Sequence, residues 1–148
     1  MTFFSTKTYG PELGLSAVFR QWRADSHCNQ LHGYSLGFRF VFEATELDDR
    51  NWVMDFGNLK GLKNKLAIAF DHKLVVAKDD PELDSLLKLQ ERGIADVMLV
   101  DGVGCEKFAE LGAVFAKTEL EMLGLSKRVK VVEVECFEHG ANSAIYRP

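Results

Sequence analysis

An α+β domain is the fold class this sequence predicts, on three observations. Apolar residues alternate with other residues over about 34–44, and apolar strand-like runs lie near both ends of the chain. Between them are segments whose apolar residues recur three and four apart, the spacing of an amphipathic helix. The order is strand, strand, helix, helix, strand, with a weak strand between the helices. That order fits helices laid on one face of an antiparallel sheet. A length of 148 residues suits one domain over 1–148, long enough to bury a core.

The elements follow from local chemistry. Residues 3–9 read as a strand start, broken at the turn signal Gly10-Pro11. Leu15-Ser16-Ala17-Val18-Phe19 resumes that strand past a bend or bulge. The polar loop Arg23-Ala24-Asp25-Ser26 delivers the chain to His27-Cys28. A strand from about Tyr34 to Ala44, carrying Leu36, Phe38, Phe40 and Phe42 on one face, pairs with the first as a long antiparallel hairpin. Its period of two sets His32 and Tyr34 on the same apolar face. A helix from about Asn58 to Phe70 presents Leu59, Leu62, Leu66 and Ala69. Pro81 opens a second, short helical segment that Gly93 ends, and Asp96 to Val100 is a short strand. A longer helix from about Cys105 to Leu123 has Phe108, Leu111, Phe115 and Met122 as its expected buried stripe, and Gly124 stops it. Val129 to Phe137 is the last strand, and residues 138–146 close the chain.

Composition narrows the function classes. Hydrophobic residues at 47% and charged residues at 27% are ordinary for a globular protein. A net charge of −4 argues against a nucleic-acid surface, which carries a basic excess. No apolar run approaches the roughly 20 residues that span a bilayer, and Met1-Thr2-Phe3-Phe4-Ser5 lacks the basic-then-apolar order of a signal peptide. Cys28, Cys105 and Cys136 are odd in number and widely spaced, against a disulfide framework or a cysteine-rich zinc site. A cytoplasmic protein that engages neither membrane nor nucleic acid is expected.

The chemistry-bearing residues are individually unremarkable. A thiol and an imidazole four residues apart, Cys28 and His32, are more often an inert core pair than a reactive one. Asp71-His72 alone reads as a capping or surface pair, Glu138 as a solvated strand end, and Glu106 as a complement to a helix dipole. Five motifs in order alter that reading: Cys28-x-x-Leu31-His32-Gly33, Val53-Met54-Asp55-Phe56-Gly57-x-Leu59-Lys60, Phe70-Asp71-His72-Lys73, Gly104-Cys105-Glu106-Lys107-Phe108-Ala109, and Val134-Glu135-Cys136-Phe137-Glu138 through Tyr146.

Together, over nearly the whole chain, these motifs resemble the 6-pyruvoyl-tetrahydropterin synthase and 6-carboxy-tetrahydropterin synthase family. The resemblance implies the tunnelling fold: an antiparallel four-stranded sheet with two main helices on one face, joined to other subunits in a barrel. It also implies a homo-oligomer, a trimer stacked into a hexamer, with pockets between subunits. Exposed sheet edges in a single chain agree with such closure. The implied reaction removes triphosphate from 7,8-dihydroneopterin triphosphate and rearranges or cleaves the side chain, in bacteria most often giving 6-carboxy-5,6,7,8-tetrahydropterin for 7-deazapurine (queuosine) synthesis. By resemblance Cys28 is the base, with Asp71 and His72 as its companion pair. Glu138 anchors the aminopyrimidine edge of the pterin, and Glu106 is a second contact.

The resemblance further implies zinc held by three histidines, and the matching positions here are Phe19, His32 and Tyr34. Two readings follow. The site is lost, or it has shifted, with His27 replacing a ligand beside His32 and the Cys28 thiolate as a third. Arg20 and Arg23, near the missing ligand, are candidates to polarise the substrate or hold phosphate. No organic cofactor is expected. The competing functional reading is a diverged tunnelling-fold protein that binds a pterin or purine without turnover.

Overall fold

The computed structural model describes Met1–Pro148. Its central element is β3 (His32–Ala44), whose alternate residues Leu36, Phe38, Phe40, Phe42 and Ala44 are buried. Two strands share one side of β3: β1 (Phe3–Tyr9) pairs antiparallel with its C-terminal half, β2 (Leu15–Phe19) with its N-terminal half. The expected hairpin is therefore present, with its first arm interrupted. Tyr9 is level with Phe38 and Leu15 with Leu36, so residues 10–14 stand opposite Gly37 alone. They form a 3-10 turn over Pro11–Leu13 that leaves through Gly14 at φ 70°. Gly37 has no side chain because a Cβ there would sit 3.3 Å from the Tyr9 carbonyl oxygen and 3.4 Å from Pro11.

On its other side β3 pairs with β6 (Val129–His139), which turns into β7 (Asn142–Tyr146). Beyond β2 lie β4 (Lys73–Ala77) and β5 (Val97–Val100), both parallel to it. The sheet has seven strands, in the order β5-β4-β2-β3-β6-β7 with β1 beside β3, rather than the four expected. Two strands account for most of the difference. In β4, Leu74, Val75, Val76 and Ala77 are all buried, and a strand covered on both faces shows a continuous apolar run with no alternation to read. In β7 the short, mostly exposed Asn142-Ser143-Ala144-Ile145-Tyr146 is held by pairing with β6, not by apolar pattern.

Three helices cover the sheet. After a 3-10 turn at Phe56–Leu59, α1 (Lys60–Phe70) buries Leu62, Leu66, Ala69 and Phe70, close to the expected face. The third helix, α3 (Cys105–Met122), differs from expectation: Met122 is exposed and Leu111 and Phe115 are half-buried. Its buried face is Phe108 with Ala109, Gly112, Ala113 and Ala116. Small residues let the helix lie close on the sheet, and a Cβ on Gly112 would stand 3.2 Å from Val134 Cγ1. The short α2 (Leu83–Glu91) sets Leu86 against Leu74 and Val76. Val75 and Ala77, alternating with those, belong to the main core, so α2 lies on the sheet face opposite α1 and α3. No helix is long and apolar enough to cross a membrane.

The main core is largely aromatic. Phe38, Phe40 and Phe42 stack along β3 with ring centroids 6.3 Å apart. Phe70 of α1 reaches Phe38 at 5.2 Å and Phe108 of α3 at 5.1 Å, and Phe108 meets Phe19 of β2 edge-on at 5.0 Å. Offset and edge-on pairs of this kind add attraction beyond area burial. Truncating Phe40 to alanine removes a fully buried ring from the middle of this row, and the expected loss is about 3–5 kcal/mol in urea unfolding. Val114→Ala, on the exposed face of α3, should change stability by less than about 0.5 kcal/mol in the same assay.

Candidate functional site

A cleft of about 600 Å³ opens where β2, β3, the start of α3 and the β6–β7 hairpin meet. Cys28, His32, Cys105, Glu106 and Glu138 line it, with Phe19, Gln21, Val103, Gly104 and the hairpin residues Ala141–Ala144 completing the walls. Four residues expected at the site from sequence, Cys28, His32, Glu106 and Glu138, are thus gathered from segments up to 110 positions apart.

Local chemistry explains each placement. Cys28 lies in a one-turn 3-10 helix (His27–Asn29) capped by Ser26, whose Oγ accepts from the Cys28 N–H at 3.3 Å. The Cys28 carbonyl accepts from the Gln21 N–H at 2.9 Å, folding the loop back on the end of β2. His32 stands directly across from Phe19 in the β2–β3 ladder. Its Nδ1 is 2.7 Å from the Gln30 carbonyl oxygen, which only accepts, so Nδ1 carries the proton and Nε2 the lone pair in the neutral ring. Glu106 is in the first turn of α3, where the helix dipole favours a carboxylate. Glu138 comes near the end of β6, at the register shift between Phe137 and His139.

Two further cysteines were not expected in a functional setting. Cys105 begins α3 and lines the cleft; Cys136 lies fully buried on β6. The side-chain hydrogen bond to Cys105, and then burial, push the Cys136 thiol far up, so it remains a neutral core group. Tyr34, two residues along the same face from His32, has its phenol pushed up by partial burial and then by Glu138, so it is a neutral donor near pH 7.

Other expected site residues lie outside this cleft. Arg20 and Arg23, expected to hold phosphate or polarise a substrate, are engaged elsewhere. The Arg20 guanidinium grips Asp80 through two hydrogen bonds, 2.9 Å from Nε and 2.6 Å from Nη2, and donates a third to the Asn29 carbonyl at 3.1 Å. Arg23 pairs with Asp79 at 3.0 Å and lies over the Trp22 ring at 3.9 Å. Both arginines fasten the Cys28 loop to the turn after β4, and neither lines the cleft. Their bidentate and stacking chemistry serves the fold.

Asp71 and His72 form a dyad, His72 Nδ1 to Asp71 Oδ1 at 2.6 Å, outside the cleft of their own chain. They close α1, and His72 takes the left-handed conformation, φ 55°, that turns the chain into β4. Lys73, the residue after the dyad, is level with Ala17, two residues short of Phe19, where the cleft opens. The His72 side chain is 86% exposed and free to meet another surface.

The metal expectation is a matter of donor chemistry. Of the three matching positions only His32 carries a ligand atom that binds zinc readily; Phe19 has none, and a tyrosine must first lose its proton. The three rings pack on each other instead, Phe19 to His32 at 5.2 Å, His32 to Tyr34 at 5.4 Å and Phe19 to Tyr34 at 6.0 Å. His27 is exposed and does not line the cleft that holds His32. No three His, Cys, Asp or Glu side chains converge as a metal site. The residues present do not fit a zinc ion.

The Arg20–Asp80 pair makes a pH-dependent prediction. The Arg20 hydrogen bonds hold the Asp80 carboxyl below its ordinary value of 3.8, helped by the Glu82 N–H. A depressed folded-state value contributes stability above the unfolded value and loses it as pH falls through the folded one. Asp80→Asn should therefore cost about 2 kcal/mol at pH 7. The gap between wild type and variant should close as urea titrations are carried below about pH 4.

Comparison with known proteins gives the family and the fold. Residues 12–148 match the family model described as 6-pyruvoyl tetrahydropterin synthase. The chain is 29% identical over 136 residues to a 6-carboxy-5,6,7,8-tetrahydropterin synthase of Aquifex aeolicus, covering 90% of this chain and 84% of that relative. An uncharacterized protein of Wolinella succinogenes superposes with a TM-score of 0.81 at 20% identity, covering 99% of this chain and 98% of that one. The 6-pyruvoyl tetrahydropterin synthase of Plasmodium falciparum superposes with a TM-score of 0.71 at 14% identity, with the same coverage. Matched by its model over all but the first eleven residues, the chain belongs to the 6-pyruvoyl tetrahydropterin synthase family.

Proposed function

We propose that the protein is a tetrahydropterin synthase-like carbon–oxygen lyase acting on 7,8-dihydroneopterin triphosphate, with 6-carboxy-5,6,7,8-tetrahydropterin as its product. The observation that carries the reading is one cleft holding a thiol, an imidazole and two carboxylates on a chain of this family. The 29%-identical relative bears the corresponding name.

In this reading Glu138 accepts two hydrogen bonds from the ring N–H and exocyclic amine of the pterin, as carboxylates accept from other bidentate donors. Glu106 is a second contact. The ring's substituent then lies toward Cys28, whose thiolate removes a proton from a side-chain carbon next to a hydroxyl. The electron pair left on carbon expels the triphosphate from its neighbour. Addition of one water and cleavage between the first and second side-chain carbons then release acetaldehyde and leave the carboxyl group. Its oxidation is balanced by reduction of the ring's N5–C6 double bond. Asp71 and His72 complete the site from an adjoining subunit of a ring-forming homo-oligomer. Their separation from the cleft of their own chain and the exposure of His72 support that placement. The outer strand β1, with Phe4, Trp52 and Phe56 exposed around a 330 Å³ groove beside it, supports assembly.

The reading is tested by incubation with 7,8-dihydroneopterin triphosphate, following triphosphate and acetaldehyde release. Cys28→Ala should lower turnover by at least about a hundredfold while dihydropterin affinity stays within a few-fold. Glu138→Gln should weaken binding by about ten- to a hundredfold, since it puts a donor where an acceptor is needed. Mixed and reassembled Cys28→Ala and His72→Ala subunits should regain activity that neither variant has alone. A pterin bound with no product released would instead favour the non-catalytic binding protein. Light scattering should give a trimer or hexamer, and a monodisperse 16.6 kDa monomer at micromolar concentration would contradict the shared site.

A further inference from the structure

The positions where the family resemblance implies metal ligands are neither empty nor simply apolar. Phe19 and His32 face each other across the β2–β3 ladder, and Tyr34 follows on the same face opposite Ala17. Directly opposed cross-strand residues have Cβ atoms about 4.5–5.5 Å apart, close enough for three suitable side chains to share one ion. The side chains present make an aromatic wall instead, backed by Phe108 against Phe19 and by His139, 6.0 Å from Tyr34. Within that wall the Tyr34 hydroxyl is an unspent donor, and His32 Nε2 an unspent acceptor in the neutral ring. Of the two other tyrosines on this face of the fold, Tyr9 and Tyr146, Tyr9 donates its hydroxyl to the Leu59 carbonyl at 3.2 Å. The Tyr34 hydroxyl has no such partner, although Tyr34 is half-buried and its ring stands 5.4 Å from that of His32 and 6.0 Å from that of Phe19, both of which line the cleft.

Resting on the dihydropterin reading of the cleft, we propose that Tyr34 determines ligand specificity. Its hydroxyl donates a hydrogen bond to a side-chain oxygen of the bound dihydropterin, at a place where Phe19, His32 and Tyr34 cannot assemble a zinc site. A phenol is a one-proton donor fixed by a rigid ring, so it recognises a hydroxyl or carbonyl oxygen by direction. Phe19 and His32 hold that ring edge-on and tilted, which sets where the donor points. The ligand class follows: a dihydropterin whose side chain carries an oxygen, as opposed to one bearing a bare methyl group.

The probe is 7,8-dihydroneopterin, bound to the assembled full-length protein and measured by calorimetry before and after EDTA treatment, with zinc content read on the same samples. Tyr34→Phe keeps the ring and its packing and removes only the hydroxyl. It should weaken dihydroneopterin binding by about three- to tenfold and leave the binding of 6-methyl-7,8-dihydropterin, which lacks the oxygen, unchanged. Wild-type affinity should survive EDTA. Zinc alone should bind wild type at well below one ion per chain, whereas the double variant Phe19→His, Tyr34→His, which restores three imidazoles with His32, should take up about one. Equal affinity in wild type and Tyr34→Phe, loss of affinity with EDTA, or near-stoichiometric wild-type zinc that His32→Ala removes would each overturn the proposal. So would a folded double variant that takes up no zinc. Wild type that binds neither pterin overturns the dihydropterin reading itself, and the Tyr34 contact with it.

Discussion

Burial of Leu36, Phe38, Phe40 and Phe42 beneath α1 and α3 fixes the register of β3, and the cleft inherits its geometry from that register. A strand's side chains alternate, so a slip of one residue would send the whole aromatic row to the other face and carry His32 and Tyr34 with it. Because the phenylalanines interlock with Phe70 and Phe108, no such slip is tolerated. Phe19 is then fixed opposite His32 by the β2 ladder, and Glu138 is brought to the same end of the sheet by β6. Core packing of an ordinary kind thus sets distances between groups far apart in the chain.

Charge does complementary work at the rim. The loop bearing Cys28 has little apolar surface to bury, and it is fastened by Arg20 on Asp80 and by Arg23 and Trp22 on Asp79. Asp80 is almost fully buried, so its pairing with Arg20 is needed simply to keep a carboxylate there. This removes both cations from the ligand's reach. The cleft that remains is lined by two carboxylates, two thiols and an imidazole from this chain. It suits the hydrogen-bond donors of an aminopyrimidine edge.

Much of the fold was legible because its signals are local. The alternation of β3 and the three-and-four spacing of Leu62, Leu66 and Ala69 in α1 each report a one-sided environment. What stayed hidden lacks one-sidedness. Strand β4 is covered on both faces, β7 is held by its neighbour, and α3 approaches through alanine and glycine, which carry little hydrophobic signal. The site divides in the same way. Cys28, His32, Glu106 and Glu138 sit at element ends that converge, so the order of motifs was enough to group them. The engagement of Arg20 and Arg23 depends on aspartates 56 to 60 residues away, which no local pattern records. Asp71-His72 was legible as a pair, but its distance from Cys28 is a property of the β2–β4 register.

The central claim, that Glu138 and Cys28 face a single pterin from opposite ends, is tested most directly by a crystal structure with 7,8-dihydroneopterin bound. The account predicts the ring N–H and exocyclic amine on the Glu138 carboxylate at about 2.7–2.9 Å, with the side chain directed at the Cys28 sulfur. A ligand seated in another groove, or lying in this cleft with Glu138 turned away from its ring, would contradict it.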